Sequence, residues 1–109
     1  EHLKEPIHVM KEAYRVLVPG GYFMINVPST DGRGAYQDPT HVSFWNENSF
    51  WYYTKKDQAR FIDTPVRFQA MRLRSYNPTP WHKQHYICYV AAHLIALKGQ
   101  PREPGIIEI

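Results

Sequence analysis

The chain has one cysteine, Cys88, so it can form no internal disulfide and no cysteine-based zinc site. A lone thiol fits a reducing, cytoplasmic setting. No apolar run approaches the roughly 20 residues that span a bilayer, so no membrane partner is expected. No signal-peptide pattern opens the sequence. Internal repeats and low-complexity tracts are absent as well. Ser29 follows an apolar stretch, but no GxSxG elbow surrounds it, which argues against a serine hydrolase. No compact histidine–acid spacing announces a metal centre, so none is expected. The net charge of +3 is mild. Arg67, Arg72 and Arg74 read as a solvated strand face, and with no RNP-like or KH-like motif a nucleic-acid partner is not expected.

What is abundant is aromatic surface: 15% of residues, including Trp45, Trp51, Trp81 and eight tyrosines. Such side chains supply large contact areas in a small core. The 109 residues suit a single domain, 1–109.

The chain is organised around PIHVMKEAYRVLVPGGYFMINVP, Pro6 to Pro28. Ile7, Met10, Ala13, Tyr14 and Leu17 share one helical face, predicting a helix over Glu5–Leu17. Pro6 suits its first turn, and Pro19-Gly20-Gly21 stops it. Tyr22–Val27 is nearly continuous apolar, which predicts a strand covered on both faces.

EHL, a helix ending in RVLVPGG, and then YFMINVP resemble the middle of a class I S-adenosylmethionine-dependent methyltransferase. The resemblance carries from Glu1 to about Tyr53 by motif and onward by pattern. It implies an α/β, partial Rossmann-like fold. Its sheet would be mixed and three-stranded, with a parallel strand, a C-terminal antiparallel hairpin and two helices. The last strand would lie between the other two. The family's GxGxG-like cofactor loop and its ribose-binding acid are not found in this sequence. The chain opens at Glu1, inside the motif, and so reads as the C-terminal part of a methyltransferase domain. The intact parent would use S-adenosylmethionine to methylate a small-molecule or other acceptor. This piece alone is expected not to hold the cofactor. A second reading is a non-catalytic, self-associating α/β fragment.

The resemblance places Glu1 and His2 at a strand end facing the cofactor. From the residues alone, the loop Ser29–Ser43 is long enough to suggest function. Within it Asp38 and His41, three apart, suit a general base and its orienter, with Tyr36 near the substrate, or equally an Asp that caps a turn and a His packed against Phe44 or Trp45. Both Asp38 and His41 are expected to be exposed and dispensable for folding. Gly32 and Gly34 are expected to give the loop flexibility.

Asn46 is an N-cap candidate for a helix over Glu47–Thr54 that buries Phe50 and either Trp51 or Tyr53. Lys55–Asp63 reads as a further helical turn. Val66–Tyr76 alternates as an edge strand, with Phe68 and Ala70 on one face and Gln69, Met71 and Leu73 on the other. Asn77–Pro80 reads as a turn, His85–Leu97 as a central strand, and Lys98–Ile109 as an irregular tail. The strand Tyr22–Val27 would keep one unpaired apolar edge, which predicts a homo-oligomer.

Overall fold

A computed structural model describes residues 1–99. The expected tail lies outside the described residues from position 100 on, Ile106 and Ile107 included. Helix α1 covers Pro6–Val16, with Pro6 in the first turn and Met10 fully buried. Leu17 closes it by donating its N–H to the Ala13 carbonyl, at 3.2 Å. Gly20 then takes a φ of 77°, which a side chain would strain. The turn is also fixed from outside: Gly20 N–H donates to Ala96 O and Ala96 N–H to Gly21 O. The Tyr14 hydroxyl donates to Leu97 O at 2.7 Å and pins the helix to the end of the last strand.

The sheet has three strands, β1 (Tyr22–Pro28), β2 (Phe68–Tyr76) and β3 (Tyr89–Ala96), in the order β1-β3-β2. The last strand therefore sits in the middle, as expected. Both ladders are antiparallel, running from Tyr22↔Ile95 to Pro28↔Tyr89 and from Phe68↔Ala96 to Tyr76↔Tyr89. This corrects the expected mixed sheet. β1 and β2 run the same way, but β3 separates them, so no parallel ladder forms among the described residues. Parallel contact is reduced to an isolated bridge between Ser29 and Trp45. The layered parallel sheet of a Rossmann-like fold is not present in the described residues.

The helix content also departs from two plain helices. Besides α1 there are one-turn pieces: α2 (Gly34–Gln37), a 3₁₀ turn (Glu47–Phe50), α3 (Trp51–Thr54), α4 (Lys56–Ala59) and α5 (Pro80–Gln84). Asn46 caps the 3₁₀ turn as expected: its side chain accepts from Asn48 N–H, and Ser49 Oγ accepts from Asn46 N–H. Phe50 and Tyr53 are buried, whereas Trp51 lies under the Lys55 ammonium, 4.5 Å from the ring centre.

The core lies on one face of the sheet. Phe68 is at its centre, with ring centroids 5.6 Å from Tyr14 and 6.0 Å from Phe23. Met10, Phe50, Val66, Val90 and Leu94 complete the layer between sheet and helices. β1 is accordingly covered on one face only, contrary to expectation. Phe23, Ile25 and Val27 turn inward, while Tyr22 (59% exposed), Met24 (63%) and Asn26 turn out. The open face continues across β3 and β2 through His93, Arg72 and Arg74, their positions set by the pairing register. At one end His82 of α5 meets Tyr89, ring centroids 5.8 Å apart. Arg67 does not join this face: its guanidinium donates to the Thr64 and Val66 carbonyls.

Two local features shift the expected registers. A bulge between Ala70 and Arg72 inserts Met71, so Leu73 rejoins Phe68 and Ala70 on the core side. Thr79 accepts from His82 N–H and Pro80 occupies the first turn, so α5 forms where a turn was expected. Tyr86 follows with a φ of 59°, and β3 starts only at Tyr89.

Candidate functional site

The long loop leaves the C-terminal end of β1 and is docked, not loose. Ser29 N–H donates to Cys88 O at 2.8 Å and Arg33 N–H to Tyr86 O at 2.7 Å. The Arg33 guanidinium also lies 4.5 Å from the Tyr86 ring centre. The loop packs so closely that a Cβ on Gly32 would sit 2.6 Å from Cys88 N, and one on Gly34 2.7 Å from Ile87 Cγ2. These glycines permit close approach, so the expected flexibility is corrected. The loop returns with Thr30 N–H donating to Trp45 O and Asn46 Nδ2 to Thr30 Oγ1.

The same loop receives the start of the chain. The Glu1 carbonyl accepts from Val42 N–H at 2.8 Å and from Ser43 N–H at 3.1 Å. Glu1 and His2 are thereby brought against Asp38–His41, nearly 40 residues away in sequence. The two histidine rings meet edge to face, 4.8 Å between centroids. His2 Nε2 is 3.6 Å from Glu1 Oε1, and His41 Nε2 is 3.5 Å from Asp38 Oδ2. Four of the five residues singled out from the sequence therefore converge. Tyr36 does not join them. It is 60% exposed, stacks on Phe44 at 5.2 Å, and lines a separate shallow groove with Asp31, Arg33 and Tyr86.

Asp38-Pro39-Thr40 forms a tight Asx-type turn. Thr40 donates to Asp38 Oδ1 twice, from its hydroxyl at 2.7 Å and its N–H at 2.9 Å. These two hydrogen bonds, the hydroxyl's first, hold the Asp38 carboxyl below the usual carboxylate range. A carboxyl depressed on folding stabilises the native turn above the ordinary carboxylate pKa. That contribution fades as pH falls through the lower folded value.

The histidine tautomers follow from their partners. His41 Nδ1 lies 3.0 Å from the Ala35 carbonyl, which can only accept, so Nδ1 carries the proton. His2 Nδ1 is 3.3 Å from both Thr40 O and Thr40 Oγ1. The Thr40 hydroxyl proton is spent on Asp38, so both atoms accept, and His2 Nδ1 is also the donor. In the neutral rings each Nε2 is left with a lone pair. A neutral Nε2 is a proton acceptor for a hydroxyl or amine, or a metal ligand. The orienting partner of His41 is thus the Ala35 carbonyl, not Asp38, which the sequence reading had placed in the pair. Ala35 and Thr40 were missed. A D-P-T turn signals the Thr40 contact, whereas nothing local signals a backbone carbonyl six residues upstream.

His41 is not the exposed loop residue expected: its side chain is 7% exposed, against 43% for Asp38. Asp38→Ala is expected to leave the melting temperature nearly unchanged. His41→Ala should lower stability by about 1–3 kcal/mol, because it empties a packed site and orphans the Ala35 carbonyl. Thermal unfolding followed by circular dichroism checks the contrast, and equal midpoints for both variants would contradict it.

Compared with protein-family models, with curated proteins and with solved structures, the chain matches none.

Proposed function

We propose that this chain is the C-terminal part of a class I S-adenosylmethionine-dependent methyltransferase domain. In this reading the domain methylates a small-molecule or other acceptor. The observation that carries the reading is topological. An antiparallel last strand lies between two strands of common direction, and a long loop at the end of β1 folds onto the EHL residues. The PGG turn between α1 and β1 adds to it. The roles follow from position. Glu1 and His2 would face the cofactor. His41 Nε2 would take the proton of the acceptor hydroxyl or amine, with Asp38 steadying the charge that forms on the ring.

The residues present do not fit the cofactor by themselves. Among the described residues α1 alone exceeds two turns. It opens on Glu5 and Pro6 with no side-chain cap and no glycine cradle for close backbone approach. Among the described residues no strand ends on an acidic residue that could take ribose hydroxyls. The chain's share of the work is to form one wall and to position the acceptor. Isothermal titration with S-adenosylmethionine tests this. The chain alone is expected to give no heat of binding, and a longer chain carrying a glycine-rich strand–turn–helix upstream to bind at micromolar strength. Tight binding by the chain alone would overturn its role as one wall only, and no binding by the longer chain would overturn the methyltransferase reading.

The runner-up reading is a non-catalytic, self-associating α/β domain, favoured by the edge of β1 that no strand among the described residues pairs.

A further inference from the structure

We propose that Glu1, His2 and His41 form a binding site for a divalent transition-metal ion of the zinc class. One carboxylate oxygen and two imidazole nitrogens already lie within 4.8 Å of one another. Three ligands at about 2.1 Å around a tetrahedral ion stand roughly 3.4 Å apart. His2 Nε2 and Glu1 Oε1, at 3.6 Å, are close to that spacing before any ion arrives.

The tautomers point the same way. A metal-bound histidine ordinarily donates its second ring N–H to a carbonyl or carboxylate, which fixes the ring and leaves the other nitrogen free. Both rings here are arranged so. His41 Nδ1 donates to Ala35 O and His2 Nδ1 to Thr40, so each Nε2 is turned toward a carboxylate, that of Glu1 for His2 and that of Asp38 for His41. Ala35 and Thr40 are thus the outer supports of the site. Asp38 Oδ2, 3.5 Å from His41 Nε2, adds a second negative charge beside the ion. The His41 side chain is 7% exposed and that of His2 56%. Two imidazoles and one carboxylate suit borderline divalent ions and leave a coordination position open to water or to an oxygen donor. The sequence conceals this set, because His41 and the pair Glu1-His2 are brought together only by the Glu1 carbonyl's bonds to Val42 and Ser43. The site stands on this geometry alone, and an ion on His41 Nε2 would occupy the lone pair that the methyl-transfer reading gives to the acceptor's proton.

The test is calorimetric titration of the untagged chain with Zn²⁺, repeated with Co²⁺ and followed by its visible absorption. No S-adenosylmethionine is present, so failure here leaves the methyl-transfer reading untouched. One ion per chain is expected, with a tetrahedral cobalt spectrum. Glu1→Gln, at a half-buried position, and His2→Ala, at an exposed one, should each weaken binding at least about tenfold. His82→Ala and His85→Ala should leave it unchanged. His41→Gln, once its circular dichroism matches the parent, should also lose affinity. Retained affinity in that variant would place the ion on the chain terminus alone and overturn the three-residue site. So would an absence of binding by the parent chain, or an equal loss in His82→Ala.

Discussion

Phe68→Ala is expected to leave most of the chain unfolded at 37 °C. Phe68 has no exposed surface and lies where α1, β1 and β3 meet, packed on Tyr14 and Phe23 and paired across the ladder with Ala96. Truncating a buried phenylalanine costs about 3–5 kcal/mol, since the lost burial is joined by a cavity that the neighbours fill only in part. A small domain holds about 5–15 kcal/mol in total, and one of 109 residues belongs near the lower end. The loss therefore takes most of the margin. Ala96 and Ala70 beside it are too small to move into the space. Phe61→Ala is the comparison, because Phe61 is 64% exposed and its removal should stay within about 0.5 kcal/mol. Guanidinium titrations of the two variants read the difference directly. Coincident midpoints would show that the core is not centred on Phe68.

The order of elements was legible because it rests on local chemistry. Pro6 and Pro19-Gly20-Gly21 bracket α1, Asn46 caps the 3₁₀ turn, and the apolar run His85–Leu97 holds a strand, whose middle place follows from the resemblance. What was not legible depends on partners. Tyr22–Val27 looks doubly covered by composition, yet only one face meets helices, so Tyr22 and Met24 lie in solvent. A single inserted residue, Met71, reverses the inward and outward assignment beyond it, and alternation alone carries no trace of the bulge. At the site, Asp38 and His41 were found from loop position, and Glu1 and His2 from resemblance. Their meeting was not, since it is made by backbone bonds between the chain start and Val42-Ser43. Gly32 and Gly34 were read as sources of freedom, when the contact with residues 86–88 makes them a condition of close packing.

In sedimentation velocity at micromolar concentration, the chain is expected to run as a concentration-dependent dimer rather than at its own 12.9 kDa. β1 pairs with β3 along one edge, and among the described residues no strand pairs with the other. Beside that free edge runs an apolar groove of about 290 Å³, lined by Leu3, Pro6, Val9, Met10, Phe23 and Ile25 among others. Leu3 is itself 55% exposed, so the chain start does not close the groove. Tyr22–Val27 contains no lysine, proline or bulge of the kind that blunts an edge strand. A second copy satisfies this surface most simply about a two-fold axis, with β1 against β1 extending the sheet and the apolar side chains covering one another. A methyltransferase domain would fill the same edge with its own preceding strand. Met24→Lys places a charge at an exposed position on that strand and should return the chain to a monomer without loss of fold. If the parent chain runs as one species near 12.9 kDa at every concentration, the edge is not a pairing surface. If Met24→Lys dimerises as the parent does, the copies meet elsewhere.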